Sequence, residues 1–233
     1  MATPRLAIPP ALIVSGLKRE AALFAGPDPI SACGNVAVLR SKFDELADRP
    51  LRTVVSFGVC GGLDPTLRPG DIVLGTEVVL DSESVTADPA LTQWLERRLV
   101  RGGERAIRGK VAAAHAPVLT VEDKSALRAA TGAVAVDMES FAAGRFAKAC
   151  GAPFAILRAV SDPAERDLPP LVVAAVDPAG GVNVVALIRG LVGSPTQLSG
   201  LMAAALDSAA AFRVLRRCGR LHGLFAALLP PHL

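Results

Sequence analysis

Residues 55–73 have the sequence V-S-F-G-V-C-G-G-L-D-P-T-L-R-P-G-D-I-V, in which one apolar run ends in a glycine cluster and a second follows a proline-containing turn. Glycines in such a place let the backbone approach a ligand closely and offer its N–H groups to an anion or a hydroxyl. The spacing matches neither G-x-G-x-x-G nor G-x-x-x-x-G-K-S/T, so the usual nucleotide-cofactor signatures do not apply. The stretch predicts two strands joined by a turn, and its glycines fit either a ligand loop or a structural turn.

The same alternation of short apolar runs with amphipathic segments continues along the chain, which is typical of a mostly parallel sheet covered by helices. We expect a single α/β domain with a twisted, mixed but mostly parallel sheet. Residues 1–180 are expected to form its catalytic core, and residues 181–233 to add C-terminal helices that complete it. Strands are predicted over 11–14, 52–57, 71–80, 110–114, 133–136 and 154–160. Helices are predicted over 17–24, 35–47, 90–100, 124–130, 138–150, 182–191 and 196–217.

The composition is strongly apolar, with 51% hydrophobic and 20% charged residues in a chain of 233. This argues against disorder. It also gives more apolar side chains than an ordinary core buries, which predicts a hydrophobic ligand, an oligomer interface or contact with a membrane surface. No run reaches the roughly 18 to 20 apolar residues of a spanning helix, and the first residues lack the pattern of a secretory signal. We therefore expect a cytoplasmic protein whose membrane contact, where it has any, is peripheral.

Metal binding and nucleic-acid binding are both disfavoured. The four cysteines are far apart, the three histidines show no ligand spacing, and we expect buried free thiols and no metal site. The net charge of +3 and the 4% aromatic content offer little to a phosphate backbone or to unstacked bases. The partner predicted by the sequence is a small or lipid-linked molecule.

Three further motifs follow predicted strands and carry carboxylates, of which Glu20 falls on the opening turn of the first predicted helix. They are S-G-L-K-R-E at 15–20, V-D-M-E-S at 136–140 and R-A-V-S-D at 158–162. Each has a plain structural interpretation, because acidic residues stabilise helix starts and aspartate before proline commonly begins a turn. The carboxyl end of a buried strand is also where open α/β sheets present their functional groups.

Taken together and in chain order, the four motifs resemble the nucleoside phosphorylase superfamily over residues 11–165. They are most similar to the branch with methylthioadenosine/S-adenosylhomocysteine nucleosidases, whose motifs have the form G-S-A-G-G-L-x-P-x-L-x-x-G-D, V-E-M-E and R-A-I-S-D. The runs F-G-V-C-G-G-L-D-P-T-L-R-P-G-D, T-G-A-V-A-V-D-M-E-S and S-D-P-A-E-R-D-L-P-P also resemble the hopanoid-biosynthesis-associated phosphorylases. That subgroup is credited with removing adenine from adenosylhopane. The resemblance thus implies an enzyme that cleaves a purine N-ribosyl bond.

The resemblance also implies roles for the residues around two of the carboxylates. Asp162 would donate a proton to purine N7, with Ser161 helping to orient it, and burial would favour the protonated form that this donation requires. Glu139 would accept hydrogen bonds from the ribose hydroxyls, while Met138 would pack against the sugar. Asp137, beside them, is a secondary candidate for substrate contact.

The remaining two motifs would face the reacting carbon. The glycine run, represented by Gly58, Val59 and Gly61, would form a loop facing the ribose and the nucleophile. Glu20 would orient or deprotonate a water molecule. The residues therefore predict one site in which base, sugar and nucleophile each meet a different strand end.

The sequence leaves the identity of the nucleophile open. Phosphorolysis needs an anion site, for which Arg19, Arg40 and the backbone around Gly34, ahead of a predicted helix, are the candidates. Val59 stands where the nucleosidases often have serine, and together with Glu20 it favours water, whereas the resemblance to phosphorylases favours phosphate. Inorganic phosphate is the one co-substrate that the resemblance implies, and it implies no other cofactor.

The substrate and the assembly have alternatives of their own. A soluble nucleosidase for methylthioadenosine-like nucleosides competes with the adenosylhopane hypothesis, and a silent nucleoside-binding relative competes with both. A homodimer is expected by analogy with the superfamily. The C-terminal residues 201–229 combine apolar and basic side chains, which predicts either a core helix with a dimer-contact tail or a basic amphipathic element for a lipid surface.

Overall fold

Eight strands and six α-helices make up the part of the chain that the computed structural model describes, residues 10–24, 30–171, 177, 180–181 and 198–220. The strands are β1 (Ala11–Ser15), β2 (Ile30–Cys33), β3 (Thr53–Gly62), β4 (Ile72–Leu80), β5 (Glu83–Thr86), β6 (Ala106–Ala113), β7 (Ala135–Asp137) and β8 (Phe154–Asp162). The helices are α1 (Lys18–Ala21), α2 (Val36–Leu46), α3 (Pro89–Arg101), α4 (Val121–Thr131), α5 (Ser140–Ala149) and α6 (Leu198–Arg220). A 3-10 turn at Ala22–Phe24 follows α1 directly.

All eight strands belong to one mixed sheet with the order β2-β1-β3-β7-β6-β4-β5. Strand β8 pairs in parallel with β3 and antiparallel with β4, so that β3, β8, β4, β6 and β7 close into a ring. Most of the pairings are parallel, with β3–β7, β4–β5 and β4–β8 as the antiparallel ones. The predicted single α/β domain with a mostly parallel mixed sheet is confirmed.

The apolar periodicity of the strands divides the core between the two faces of the sheet. Along β1, Leu12 and Val14 pack into a cluster with α2 and α5, while Ala11 and Ile13 pack into a second cluster with α3 and α6. This division follows from the alternation of side chains along a strand. The helices therefore cover both faces and leave the strand ends open for a site.

Two strands and one loop differ from the sequence-based predictions. The strands β2 and β5 were not predicted, because Ile30–Cys33 and Glu83–Thr86 are short and mostly not buried, and so lack a clear apolar signal. The glycine run at 58–62 was predicted to be a loop, and this was wrong. It forms the end of β3, where Gly58 pairs with Arg158 and Gly61 pairs with Val136.

The C-terminal predictions are tested only in part. The helix predicted over 196–217 is present as α6, which packs against β8. The helix predicted over 182–191 and the apolar segment 221–229 lie outside the described residues. Among the described residues, no helix combines the length and the apolar character needed to cross a bilayer.

Candidate active site

A cavity of about 410 Å³ lies at the ends of β1, β3, β7 and β8, beside the starts of α1 and α5. Its walls include a residue from each of the four motifs, because the sheet brings the corresponding strand ends together. Eight of the predicted site residues line it: Glu20, Val59, Gly61, Asp137, Met138, Glu139, Ser161 and Asp162.

Glu20 is held in the wall of this cavity by two backbone donors. The Leu17 N–H donates to its Oε2 at 2.8 Å and the Val59 N–H donates to its Oε1 at 2.7 Å. The residue is only 1% exposed, and burial raises the pKa of Glu20 although Arg158 and these backbone donors oppose the rise. A fixed carboxylate with a raised pKa is suited to accept a proton near neutral pH.

Gly58 makes room for this carboxylate and does not itself line the cavity. A Cβ at position 58 would lie 2.5 Å from Glu20 Oε1 and 2.8 Å from the Nη1 atom of Arg158. This geometry favours a steric role for Gly58 over the predicted contact with the ribose. The glycine allows β3 to pass close to the two buried charges.

Replacing Gly58 with alanine should therefore damage the site as well as the fold. We expect the free energy of unfolding to fall by about 1–3 kcal/mol, and activity to fall because Glu20 is displaced. Denaturant unfolding and kcat/KM are the measurements.

The matched control is Gly103→Ala, where φ is +79° and an added Cβ meets nothing within 4 Å. It should cost about 1–2 kcal/mol through backbone strain alone and leave activity intact. Full activity in Gly58→Ala would contradict the steric role.

Glu139 and Glu20 share a buried cation beneath the cavity. Arg158, fully buried on β8, places its Nη2 atom 3.3 Å from Glu139 Oε2. Burial raises the pKa of Glu139 to about 7, with Arg158 opposing the rise and the charges of Asp137 and Glu20 adding to it. Gly16 lets the carboxylate lie against the turn after β1, since a Cβ there would be 2.5 Å from Glu139 Oε1.

Asp137 lines the cavity, but its carboxylate is bonded to protein groups. Its Oδ2 atom lies 2.7 Å from the Nε atom of Arg158 and also accepts from the Ser140 hydroxyl. Its Oδ1 atom accepts the Ser140 backbone N–H at 3.0 Å, at the start of α5. The geometry favours a role in anchoring Arg158 and this helix over the predicted secondary contact with substrate.

Asp162 ends β8 and has a partner on each oxygen. The Ser161 hydroxyl donates to Oδ1 at 2.9 Å, a contact compatible with the orienting role that the resemblance implies for Ser161. The Lys124 ammonium donates to Oδ2 at 2.7 Å, and the side chains of Lys124 and Asp162 are 1% and 7% exposed. The sequence did not predict Lys124, and the one signal for it was its place on the same face of α4 as Leu127.

Arg19, Arg40 and Gly34, the candidates for a phosphate site, do not line the cavity, whereas Asn35, next to Gly34, does. Arg19 is exposed and its guanidinium lies 4.2 Å from the ring centroid of Phe212 on α6. Arg40 is exposed on α2. The Gly34 N–H donates to the Ser15 carbonyl at 3.1 Å, so this backbone donor is already used.

The chain matches the family model described as "Phosphorylase superfamily" over residues 9–191. Its fold is similar to that of the futalosine hydrolase of Helicobacter pylori strain 26695, with a TM-score of 0.69 and 14% identity over 95% of this chain and 98% of that chain. The fold is also similar to that of a mutant 5′-methylthioadenosine/S-adenosylhomocysteine nucleosidase of the same organism, which has 5′-methylthioadenosine in its active site. The TM-score is 0.69 and the identity 12%, over 96% of this chain and 100% of that chain. For the corresponding nucleosidase of Campylobacter jejuni the TM-score is 0.60 and the identity 15%, over 91% of this chain and 99% of that chain. At these identities the likeness to solved structures establishes the fold.

Proposed function

This chain belongs to the phosphorylase superfamily, and we propose that it uses water to cleave the N-ribosyl bond of a purine nucleoside and release the base. The observation that carries the proposal is the fixing of Glu20. Its carboxylate is buried in the cavity wall and held by two backbone N–H groups, in the same cavity as Glu139 and Asp162. Three carboxyl groups around one cavity supply the base, the sugar ligand and the acid that the reaction requires.

Each step of the proposed reaction uses one of these groups. The bond between C1′ and N9 breaks, its electron pair goes to the purine, and Asp162 delivers a proton to N7. Positive charge develops on the ribose, where the Glu139 carboxylate stabilises it by accepting hydrogen bonds from the sugar hydroxyls. Glu20 takes a proton from water while the water oxygen bonds to C1′. No cofactor is required.

The charges around the cavity favour water over phosphate. Its walls carry the carboxyls of Glu20, Asp137, Glu139 and Asp162. The two fully buried cations among the described residues, Arg158 and Lys124, already face these groups. Glu20 also occupies the Leu17 and Val59 N–H groups, which could otherwise bind an anion. A phosphate dianion would meet net repulsion here.

The apolar part of the cavity supports a nucleoside with a hydrophobic substituent. Leu17, Ala114, Pro117, Val118 and Leu168 are among its lining residues. A volume of about 410 Å³ lies within the range typical of small-ligand sites, so a triterpene would have to extend from the mouth. We propose adenosylhopane as the substrate, with methylthioadenosine or S-adenosylhomocysteine as the alternative.

One assay separates these possibilities. The purified full chain is incubated with adenosylhopane and with methylthioadenosine, each with and without phosphate, and adenine and the sugar product are identified. Free sugar in both buffers supports hydrolysis, whereas a sugar 1-phosphate that depends on phosphate would contradict it. Absence of adenine from both substrates would favour a silent nucleoside-binding relative.

The pH dependence of the reaction tests the raised pKa of Glu139. Below a pKa of about 7 this carboxyl is protonated and accepts hydrogen bonds from ribose hydroxyls poorly. We therefore expect kcat/KM for the purine nucleoside to rise with pH and to level off above about 7.

Glu139→Gln should lower kcat/KM by more than about tenfold. The rise of kcat/KM with pH, expected near 7 in the wild type, should then shift away from that pH. The substitution should also raise the free energy of unfolding above pH 7, where the wild-type folded state holds a buried charge that the unfolded state solvates. If kcat/KM of the variant still rose with pH over the same range, the group that titrates there would be Glu20 instead.

Peripheral contact with a lipid surface is proposed for α6. Met202 and Leu206 are 59% and 70% exposed on this helix, and Arg213 and Arg216 are exposed further along it. Apolar and basic side chains on one helix suit an anionic membrane surface. Co-sedimentation with anionic liposomes should be weaker for the full chain carrying Met202→Ser and Leu206→Ser than for wild type, and equal binding would contradict the proposal.

A homodimer is proposed as the alternative use of these exposed side chains. The pair Met202 and Leu206 would then be covered by a second copy of the chain. Light scattering of the purified protein measures the mass directly, and a monomer at the concentrations of the assay would contradict the dimer.

A further inference from the structure

Lys124 is a buried ammonium group whose three hydrogen bonds reach Asp162 and the segment that follows it. Its Nζ atom donates to Asp162 Oδ2 at 2.7 Å, to the Pro163 carbonyl at 2.8 Å and to the Arg166 carbonyl at 2.9 Å. An ammonium has three donors, so this set satisfies it completely. Lysine is rarely buried to this extent, and a buried charge persists only when it is paired.

The position of this ammonium resolves a difficulty in the proposed reaction. Asp162 has to deliver a proton to the purine, yet its Oδ2 atom lies in an ion pair with Lys124. One of the three N–H bonds of the Lys124 ammonium points at the Asp162 carboxylate over 2.7 Å. A proton therefore lies within hydrogen-bond distance of the group that has to deliver one.

We propose that Lys124 is the source of the proton that Asp162 passes to the leaving purine, an inference that rests on the proposed function. An N–H bond of Lys124 breaks, its proton moves to the Asp162 carboxylate, and a carboxyl proton forms the N7–H bond of the purine. The electron pair of the C1′–N9 bond ends on the purine, which leaves Lys124 as a neutral amine. The water proton taken by Glu20 returns to Lys124 through solvent after the products leave, so the enzyme is restored.

A purely structural role for Lys124 is the competing interpretation. Its bonds to the carbonyls of Pro163 and Arg166 fasten the segment after β8 to α4. The Asp167 carboxylate also accepts the Val121 N–H at 2.8 Å, and Arg166 forms an ion pair with Asp207 on α6. These further contacts hold the same segment, so the loss of Lys124 need not release it.

The two roles are separated by a leaving group that needs no proton. Wild type, Lys124→Met and Asp162→Asn are compared on a purine nucleoside and on p-nitrophenyl riboside, whose nitrophenolate departs unprotonated. We expect Lys124→Met to lower kcat for the purine nucleoside by about 100-fold or more, with little change in KM, and to lower kcat for the nitrophenyl riboside by less than about fivefold. Asp162→Asn should show the same selectivity.

Arg128→Met is the matched control, because Arg128 also lies on α4 and pairs with an aspartate, Asp64, away from the cavity. It should leave both activities unchanged. Thermal unfolding monitors each variant, and Lys124→Gln, which can still donate to the carbonyls, takes the place of Lys124→Met where the latter is unfolded.

An equal reduction with both leaving groups, in an otherwise active enzyme, would overturn the role of Lys124 as a proton source. Undiminished activity of Lys124→Met on the purine nucleoside would overturn it as well. A wild-type protein that releases neither purine nor nitrophenol would overturn the proposed function itself, so the two failures are distinguishable.

Discussion

Asp162→Asn is expected to lower kcat/KM for a purine nucleoside by about 10³-fold or more. The amide has no proton acidic enough to give to N7, whereas it keeps the size of the carboxyl and its contact with the Ser161 hydroxyl. The leaving purine would then depart as an anion, which raises the barrier. Release of the base, followed by chromatography over a range of substrate concentrations, gives kcat and KM separately.

The control for this variant is Asp64→Asn. Asp64 also pairs with a cation, Arg128 at 2.7 Å, but it does not line the cavity. Its substitution should leave kcat/KM unchanged. If Asp162→Asn kept more than about a tenth of the wild-type activity, the assignment of Asp162 as the acid would be wrong.

Glu20→Gln is the second substitution with a large expected effect. We expect kcat to fall by about 10²- to 10³-fold with a small change in KM, because the amide cannot accept a proton from water. It also presents an NH₂ group to one of the two backbone donors, the N–H of Leu17 or of Val59, and leaves that donor unsatisfied. A modest loss of stability should accompany the loss of activity.

Glu165→Gln is the matched control, since this glutamate is 65% exposed and its nearest cation, Arg68, lies 3.8 Å away. It should behave as wild type in both stability and kcat. If Glu20→Gln remained active in phosphate and produced a sugar 1-phosphate, water would not be the nucleophile and Glu20 would not be its base.

The architecture could be predicted from the sequence because buried strands and helices have apolar residues at regular spacings. Strands β3, β4 and β8 are apolar along most of their length, and each was predicted. Strand β5 has only one buried residue, Val85, between exposed polar residues, so its sequence carries no apolar pattern. The glycines at 58–62 suggested a loop, but glycine is equally suited to a strand that passes close to buried charges. The sequence alone could not separate these two structures.

The candidate site was predictable where its residues stand at strand ends, and not where they reach it from elsewhere. Glu139 and Asp162 follow buried strands, so topology alone brings them together. Lys124 lies 38 residues before its partner on a helix, where a lysine ordinarily faces solvent. Arg19 and Arg40 were chosen for their charge, and the same charge keeps them at the surface.

The ring formed by β3, β8, β4, β6 and β7 has a consequence for how the molecule opens. Every strand of the ring has at least two hydrogen-bonded neighbours, so none of them is an edge that can separate by itself. Amide protons in the middle of β3 and β8 should accordingly exchange with solvent deuterium only when the whole domain unfolds. Glu139, just after β7, and Asp162, at the end of β8, are then expected to keep their mutual spacing in fluctuations smaller than unfolding of the domain. Access of substrate would then depend on the connecting segments around the cavity mouth.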